Sequence, residues 1–166
     1  MPMPIRRLTK MPGRMVLIIS IVVGLSGSAL LWLFATASDG GPTGHADISD
    51  RSTVTLGAAV YREHCAACHG QRLEGQPNWR TRFPDGRLPA PPHDATGHTW
   101  HHPDQHLFDI TKYGTAALVG GDYKTDMAGF GDRLSDRQIW AVLAYIKSQW
   151  PEEIRHRQAR MNERRR

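Results

Sequence analysis

Cys65 and Cys68 are the only cysteines of the chain, and His69 follows them directly. This is the C-x-x-C-H pattern of c-type haem attachment: two thiols one helical turn apart can each form a thioether with one haem vinyl group, and the next imidazole then lies against the iron. A bare C-x-x-C also suits a thiol redox pair or half of a zinc site. The zinc reading needs a second pair, which the sequence lacks, and a redox pair gives the adjoining histidine no role.

Haem attachment to cysteine takes place outside the cytoplasm, so an export signal is expected. Arg6, Arg7, Lys10 and Arg14 precede an uncharged apolar run, Met15 to Ala35. As a helix that run spans roughly 31 Å, enough for a bilayer core. Positive charge before it and none directly after predict residues 1–14 in the cytoplasm and all beyond residue 38 outside, a single pass through the inner membrane. The segment 15–37 reads as a retained anchor: it is longer than a secretory h-region, and Trp32 and Phe34 suit an interface. Ala35-Thr36-Ala37 keeps open the alternative of cleavage before Ser38.

Removing the anchor leaves roughly 125 residues, one domain in size. The net charge of +5 is unevenly placed. Residues 1–14 hold four positive charges and no negative ones, and 152–166 hold six against three; between them stand 11 positive and 13 negative. A mildly acidic domain gives no support to nucleic-acid binding. Residues 38–52, rich in Gly, Asp, Ser and Thr, read as a flexible linker with a root-mean-square span of roughly 20 Å, or as coil held against the domain.

The elements that must position the motif follow. Leu56, Ala59 and Val60 run at helical spacing into the motif, and Thr53 or Thr55 is the expected cap. Gly57, Tyr61 and Cys65 share one helical face. Glycine inside a helix costs about 1 kcal/mol, so another helix is expected to cross there at close range. The candidate is Leu134 to Lys147, with Ser135 and Gln138 as a capping box and Ile139, Val142, Leu143 and Ile146 as its apolar stripe; Pro151 ends or kinks it. Trp140 and Tyr145 are expected in the core.

Met127 lies in a Gly-rich loop, Thr125 to Gly131, where a methionine gains little packing. As a thioether it is a good soft ligand for iron opposite His69, and the other methionines, at 1, 3, 11, 15 and 161, lie near the termini.

Gly57 and Tyr61 leading into Cys65-Ala66-Ala67-Cys68-His69, then Met127 with Phe130, then an aromatic C-terminal helix: in this order the chain resembles the class I cytochromes c over about residues 53–150. The resemblance implies an all-α bundle around one covalently attached haem, its first and last helices crossing near the glycine. It also implies thioethers at Cys65 and Cys68, His69 as proximal and Met127 as distal ligand, and a proline carbonyl accepting a hydrogen bond from His69, without saying whether Pro89, Pro91 or Pro92 supplies it. Ala128 departs from the family's usual proline after the ligand methionine, and a looser loop is the expected consequence.

The middle of the chain is the most individual. Gln71 to Asp94 reads as loop, and Asp104 to Gly114 as a short helix entered by Pro103 and stopped by Gly114. Between them, His93, His98, His101, His102 and His106 crowd into fourteen residues. They suggest either a second metal site, for copper or zinc, or a loop around the haem edge with Trp100 or a histidine bonding the propionates. The tail 151–166 reads as a solvated helix end rich in arginine, a weak candidate for anionic headgroups.

Together these readings predict an N-terminal transmembrane helix followed by a cytochrome c-like domain. Its expected work is to carry single electrons between a redox donor and acceptor of an extracytoplasmic respiratory chain. That makes it an electron carrier, alone or within a larger oxidoreductase, and not an enzyme with its own acid, base or nucleophile. The alternatives are a ligand-binding or peroxidase-like haem protein with a labile Met127, and a metal-handling protein using the His93–His106 loop.

Overall fold

The computed structural model describes residue 44 and residues 46–164. The expected cytoplasmic segment 1–14, the apolar run 15–37, most of the linker before residue 46, and Arg165 and Arg166 lie outside them. Among the described residues no helix is long and apolar enough to cross a membrane.

The described chain is mostly helical: α1 Arg51–His64, α2 Ala66–His69, a 3₁₀ turn Thr99–His101, α3 Asp104–Tyr113, α4 Thr115–Val119, α5 Asp136–Ser148 and α6 Glu152–Glu163. Its β pairing, among the described residues, is an isolated antiparallel bridge between Gly114 and Ala128.

α1 starts earlier than the threonines suggest. Asp50 caps it, accepting from the Ser52 N–H at 2.9 Å and from the Thr53 hydroxyl at 2.5 Å. An aspartate just before the first turn competes better than a threonine inside it, and Thr55 Oγ1 instead donates to Arg51 O at 2.9 Å, within the helix. The segment read as linker therefore runs into the helix, and Ala46 within it is buried.

α1 crosses α5 where the glycine predicts. A Cβ on Gly57 would stand 1.9 Å from Ala141 O and 2.9 Å from Tyr145 Cβ, so only a bare backbone fits. α5 carries both bonds of the capping box: Gln138 N–H donates to Ser135 Oγ at 3.3 Å, and Ser135 N–H to Gln138 Oε1 at 3.0 Å. Ile139, Val142, Leu143 and Ile146 are buried along it. Trp140, also buried, stacks on Phe108 of α3 at 4.4 Å, a pairing that adds about 0.5–1.5 kcal/mol beyond burial.

A second tie joins α3, α5 and α6. Lys147 Nζ donates to Asp104 Oδ1 and Oδ2 at 2.8 and 2.7 Å, with side chains only 11% and 7% exposed. Gln158 Nε2 of α6 donates to the same carboxylate at 2.6 Å, and Asp104 N–H donates to Asn162 Oδ1 at 2.8 Å. Ala46 N–H also reaches Asp104 Oδ2, at 3.4 Å. A buried pair of this kind stabilises little against an apolar substitute, but breaking it strands a charge. Lys147→Met is therefore expected to lower the unfolding free energy by about 3–5 kcal/mol in denaturant titration, and Asp104→Leu/Lys147→Met to recover most of that loss.

Candidate functional site

Cys65 ends α1 and opens α2, so the motif is one turn hung from the end of a pinned helix. Cys65 N–H donates to Tyr61 O at 2.9 Å, continuing α1, while Cys68 and His69 donate back to Cys65 O at 3.1 and 2.9 Å. The turn leaves Cys65 half-buried and Cys68 exposed. Burial, with the neighbouring Cys68, pushes the Cys65 thiol up to about 11.

His69 is buried, and its Nδ1–H donates to Pro91 O at 2.8 Å. Of the three prolines of the loop, Pro91 is thus the one that receives this bond. Burial holds the ring below its ordinary range, outweighing the opposite pull of the Pro91 bond, so the imidazole is neutral with its proton on Nδ1. Its Nε2 lone pair is what an iron centre requires. Two thiols, a neutral imidazole of fixed tautomer and no competing cysteine suit a covalent haem.

The loop that carries Pro91 is built backwards from the motif. Tyr61 Oη–H donates to Gly70 O at 2.9 Å, and Gly75 N–H to His69 O at 2.8 Å. Leu73, at φ +66°, holds a left-handed conformation rare for a bulky residue. That turns its carbonyl toward the N–H groups of His93 at 2.8 Å and Asp94 at 3.3 Å. Gly75 and Gly97 let this loop fold on itself, since a Cβ at either would collide with Pro92 backbone at 2.4 or 2.0 Å.

Met127 is half-buried against the core, in a loop laced to the end of α3. Phe130 N–H donates to Thr111 O and Gly131 N–H to Lys112 O, both at 2.9 Å, and Thr115 N–H reaches Met127 O at 3.4 Å. Gly114, at φ +86°, makes the approach possible: a Cβ there would lie 2.7 Å from Gly129 N. Phe130 meets His64, the residue before the motif, edge to face at 6.3 Å. At Ala128 the structure places a hydrogen bond where the family's usual proline has no donor. The Ala128 N–H donates to Asp126 O at 3.0 Å, closing a tight turn around Met127 that a proline, lacking the donor, is unable to form. Arg87 adds an ion pair to Asp126 from the opposite loop.

Trp100 is half-buried, with Nε1–H donating to Ala95 O at 3.3 Å, its ring stacked on His101 at 3.7 Å and the Arg157 guanidinium 5.1 Å above it. The N–H a propionate would use is engaged within its own loop. Of the other histidines, His98 stacks on Trp79 at 5.4 Å, His102 meets His98 edge to face at 5.5 Å, and His106 lies tilted against His102 at 4.9 Å. Among the described residues no three His, Cys, Asp or Glu side chains are arranged to hold a metal ion, which gives the second-metal reading no site there. A cavity of about 720 Å³ opens between α3 and α6, but none of Cys65, Cys68, His69 or Met127 lines it, and it is the motif that locates the site.

Sequence reasoning missed Trp150 and Arg157, and it named His93 only as one of five clustered histidines, with nothing to set it apart from the other four. Lone members of ordinary residue types carry no spacing signal; Trp150, 1% exposed, acts through one bond, its indole N–H to His93 O at 2.7 Å.

A family model described as cytochrome c matches residues 54–150. Comparison with curated proteins and with solved structures gave no match.

If Gly114 admits the lacing around Met127, Gly114→Val opens it. Hydrogen exchange of the Phe130 and Gly131 amides is expected to rise at least about tenfold, whereas Arg87→Gln, which removes an exposed ion pair, is expected to raise it no more than about fivefold.

Proposed function

The chain belongs to the cytochrome c family, which makes it a haem-based electron carrier; from that premise we propose that Cys65 and Cys68 hold the haem, that His69 and Met127 ligate its iron, and that it works outside the cytoplasm, tethered by residues 15–37. The observation that carries the ligand assignment is the His69 to Pro91 hydrogen bond, which commits Nδ1 and leaves Nε2 for the metal.

Haem supplies the one-electron couple when bound. The chain's contribution is to hold both donors still, so that little rearranges when an electron passes. His69 is fixed in tautomer by Pro91 and shielded from water by burial. Met127, a soft thioether, favours the reduced state relative to nitrogen or thiolate donors, which suits the high-potential end of a respiratory chain. The backbone bonds about Ala128, Gly114 and Phe130 support a methionine that stays in place, and so favour the electron carrier over a ligand-binding protein with an open sixth position. Tethering raises the effective concentration of redox partners at the membrane.

Ferric and ferrous optical spectra of the haem-loaded chain test the ligands. The expected result is a low-spin spectrum with the iron–methionine charge-transfer band, lost in Met127→Ala, and no carbon monoxide binding by the wild type. A high-spin wild type, or one that binds carbon monoxide readily, overturns the assignment. The tether is checked by carbonate extraction of membranes from cells making the full chain. A haem-stained band in the pellet is expected, and one in the supernatant, shortened to begin near Ser38, would mean cleavage.

A further inference from the structure

One member of the histidine-rich loop has turned inward. The His93 ring stacks on that of His69, centroids 3.9 Å apart and planes 22° from parallel. Four contacts hold His93 itself. Its Nδ1 shares a 2.8 Å hydrogen bond with Thr99 Oγ1, and its backbone N–H donates to Leu73 O at 2.8 Å. Its carbonyl accepts from Trp150 Nε1 at 2.7 Å, and Tyr61 packs edge-on at 6.4 Å.

The His69 side chain has a single hydrogen bond, to Pro91 O. That bond sets the direction of the Nδ1–H but leaves the ring free to swing about the line of the bond. A parallel ring at 3.9 Å removes that freedom, because a swing of some tens of degrees drives the edge of His69 below the contact distance of about 3.5 Å. His93 thus offers His69 a flat face rather than an edge.

We propose that His93 is a positioning residue: held by Thr99, Leu73 and Trp150, its ring sets the plane of the His69 imidazole and so tunes the iron that His69 ligates. The proposal rests on His69 being the proximal ligand. Partners of a metal-bound histidine fix its orientation and basicity, and axial ligation sets the haem potential. The π orbital of an imidazole stands perpendicular to its ring, so the plane decides which iron d orbital it meets. Ferric electron paramagnetic resonance g values report that directly, apart from any electron-transfer activity.

The test compares the haem-loaded full chain as wild type, His93→Leu, His93→Phe and Thr99→Val, by g values and by potentiometric titration. His93→Leu is expected to move the largest g value and to change the oxidised-to-reduced ratio at fixed poise at least threefold, about 30 mV for a one-electron couple. His93→Phe, as apolar as leucine but flat, is expected to restore most of the wild-type behaviour, and Thr99→Val to shift in the direction of His93→Leu. A leucine variant that coincides with wild type, or a phenylalanine variant that shifts as far as leucine, overturns the proposal. If His93→Leu fails to load haem, Thr99→Val decides: a shift supports the proposal and coincidence with wild type overturns it. His69→Gly separates the two readings. Loss of the low-spin spectrum with recovery on added imidazole keeps His69 as ligand whatever the His93 variants do, whereas an unchanged spectrum removes His69 as ligand and this proposal with it.

Discussion

At Gly57 the backbone of α1 comes so close to α5 that a methyl group would lie 1.9 Å from Ala141 O. Two helices in such contact are unable to slide or rotate past each other, and everything four residues further along α1 inherits that register. Tyr61 is thereby held against Tyr145 at 5.4 Å and bonded to Gly70 O, and Cys65 becomes the pivot between α1 and α2. The helical cost of one glycine, about 1 kcal/mol, is small beside the apolar face of α5 that the crossing buries.

From that pivot the two sides of the site are held differently. On the His69 side the restraint is a loop: Gly70, Leu73 and Gly75 in left-handed conformations turn the chain so that Pro91 O meets Nδ1 and His93 lies under the ring. On the Met127 side it is backbone lacing between 111–115 and 127–131, admitted by Gly114 and Gly129. Both use main-chain groups, whose positions the positive-φ turns and the close approach at Gly114 already set. The substitution of alanine for the family's proline after Met127 fits this pattern, since it replaces a stiff ring with a hydrogen bond.

The segments outside the matched range meet one another. Ala46, before α1, and Gln158 and Asn162, in α6, all converge on Asp104 and its partner Lys147. Lys147 follows Leu143 at helical spacing on the apolar face of α5, the one sign in the sequence that a charge is buried there. Its partner is 43 residues away, a separation that no local pattern reports.

The sequence by itself determined the attachment chemistry, the helices that bear it and the crossing, because these depend on spacing within a turn, on helical periodicity and on the missing side chain of Gly57. It also sufficed for the capping box of α5. It did not extend to Asp50 as the cap of α1, where two threonines offered the same local signal and the competition was decided by which oxygen reaches the free N–H groups. Which proline faces His69, where His93 goes among five similar histidines, and how Ala128 replaces proline were decided only by tertiary structure. Each depends on groups brought together across a loop, such as Pro91 and His69 22 residues apart, and on close packing that admits a single arrangement of chemically equivalent candidates.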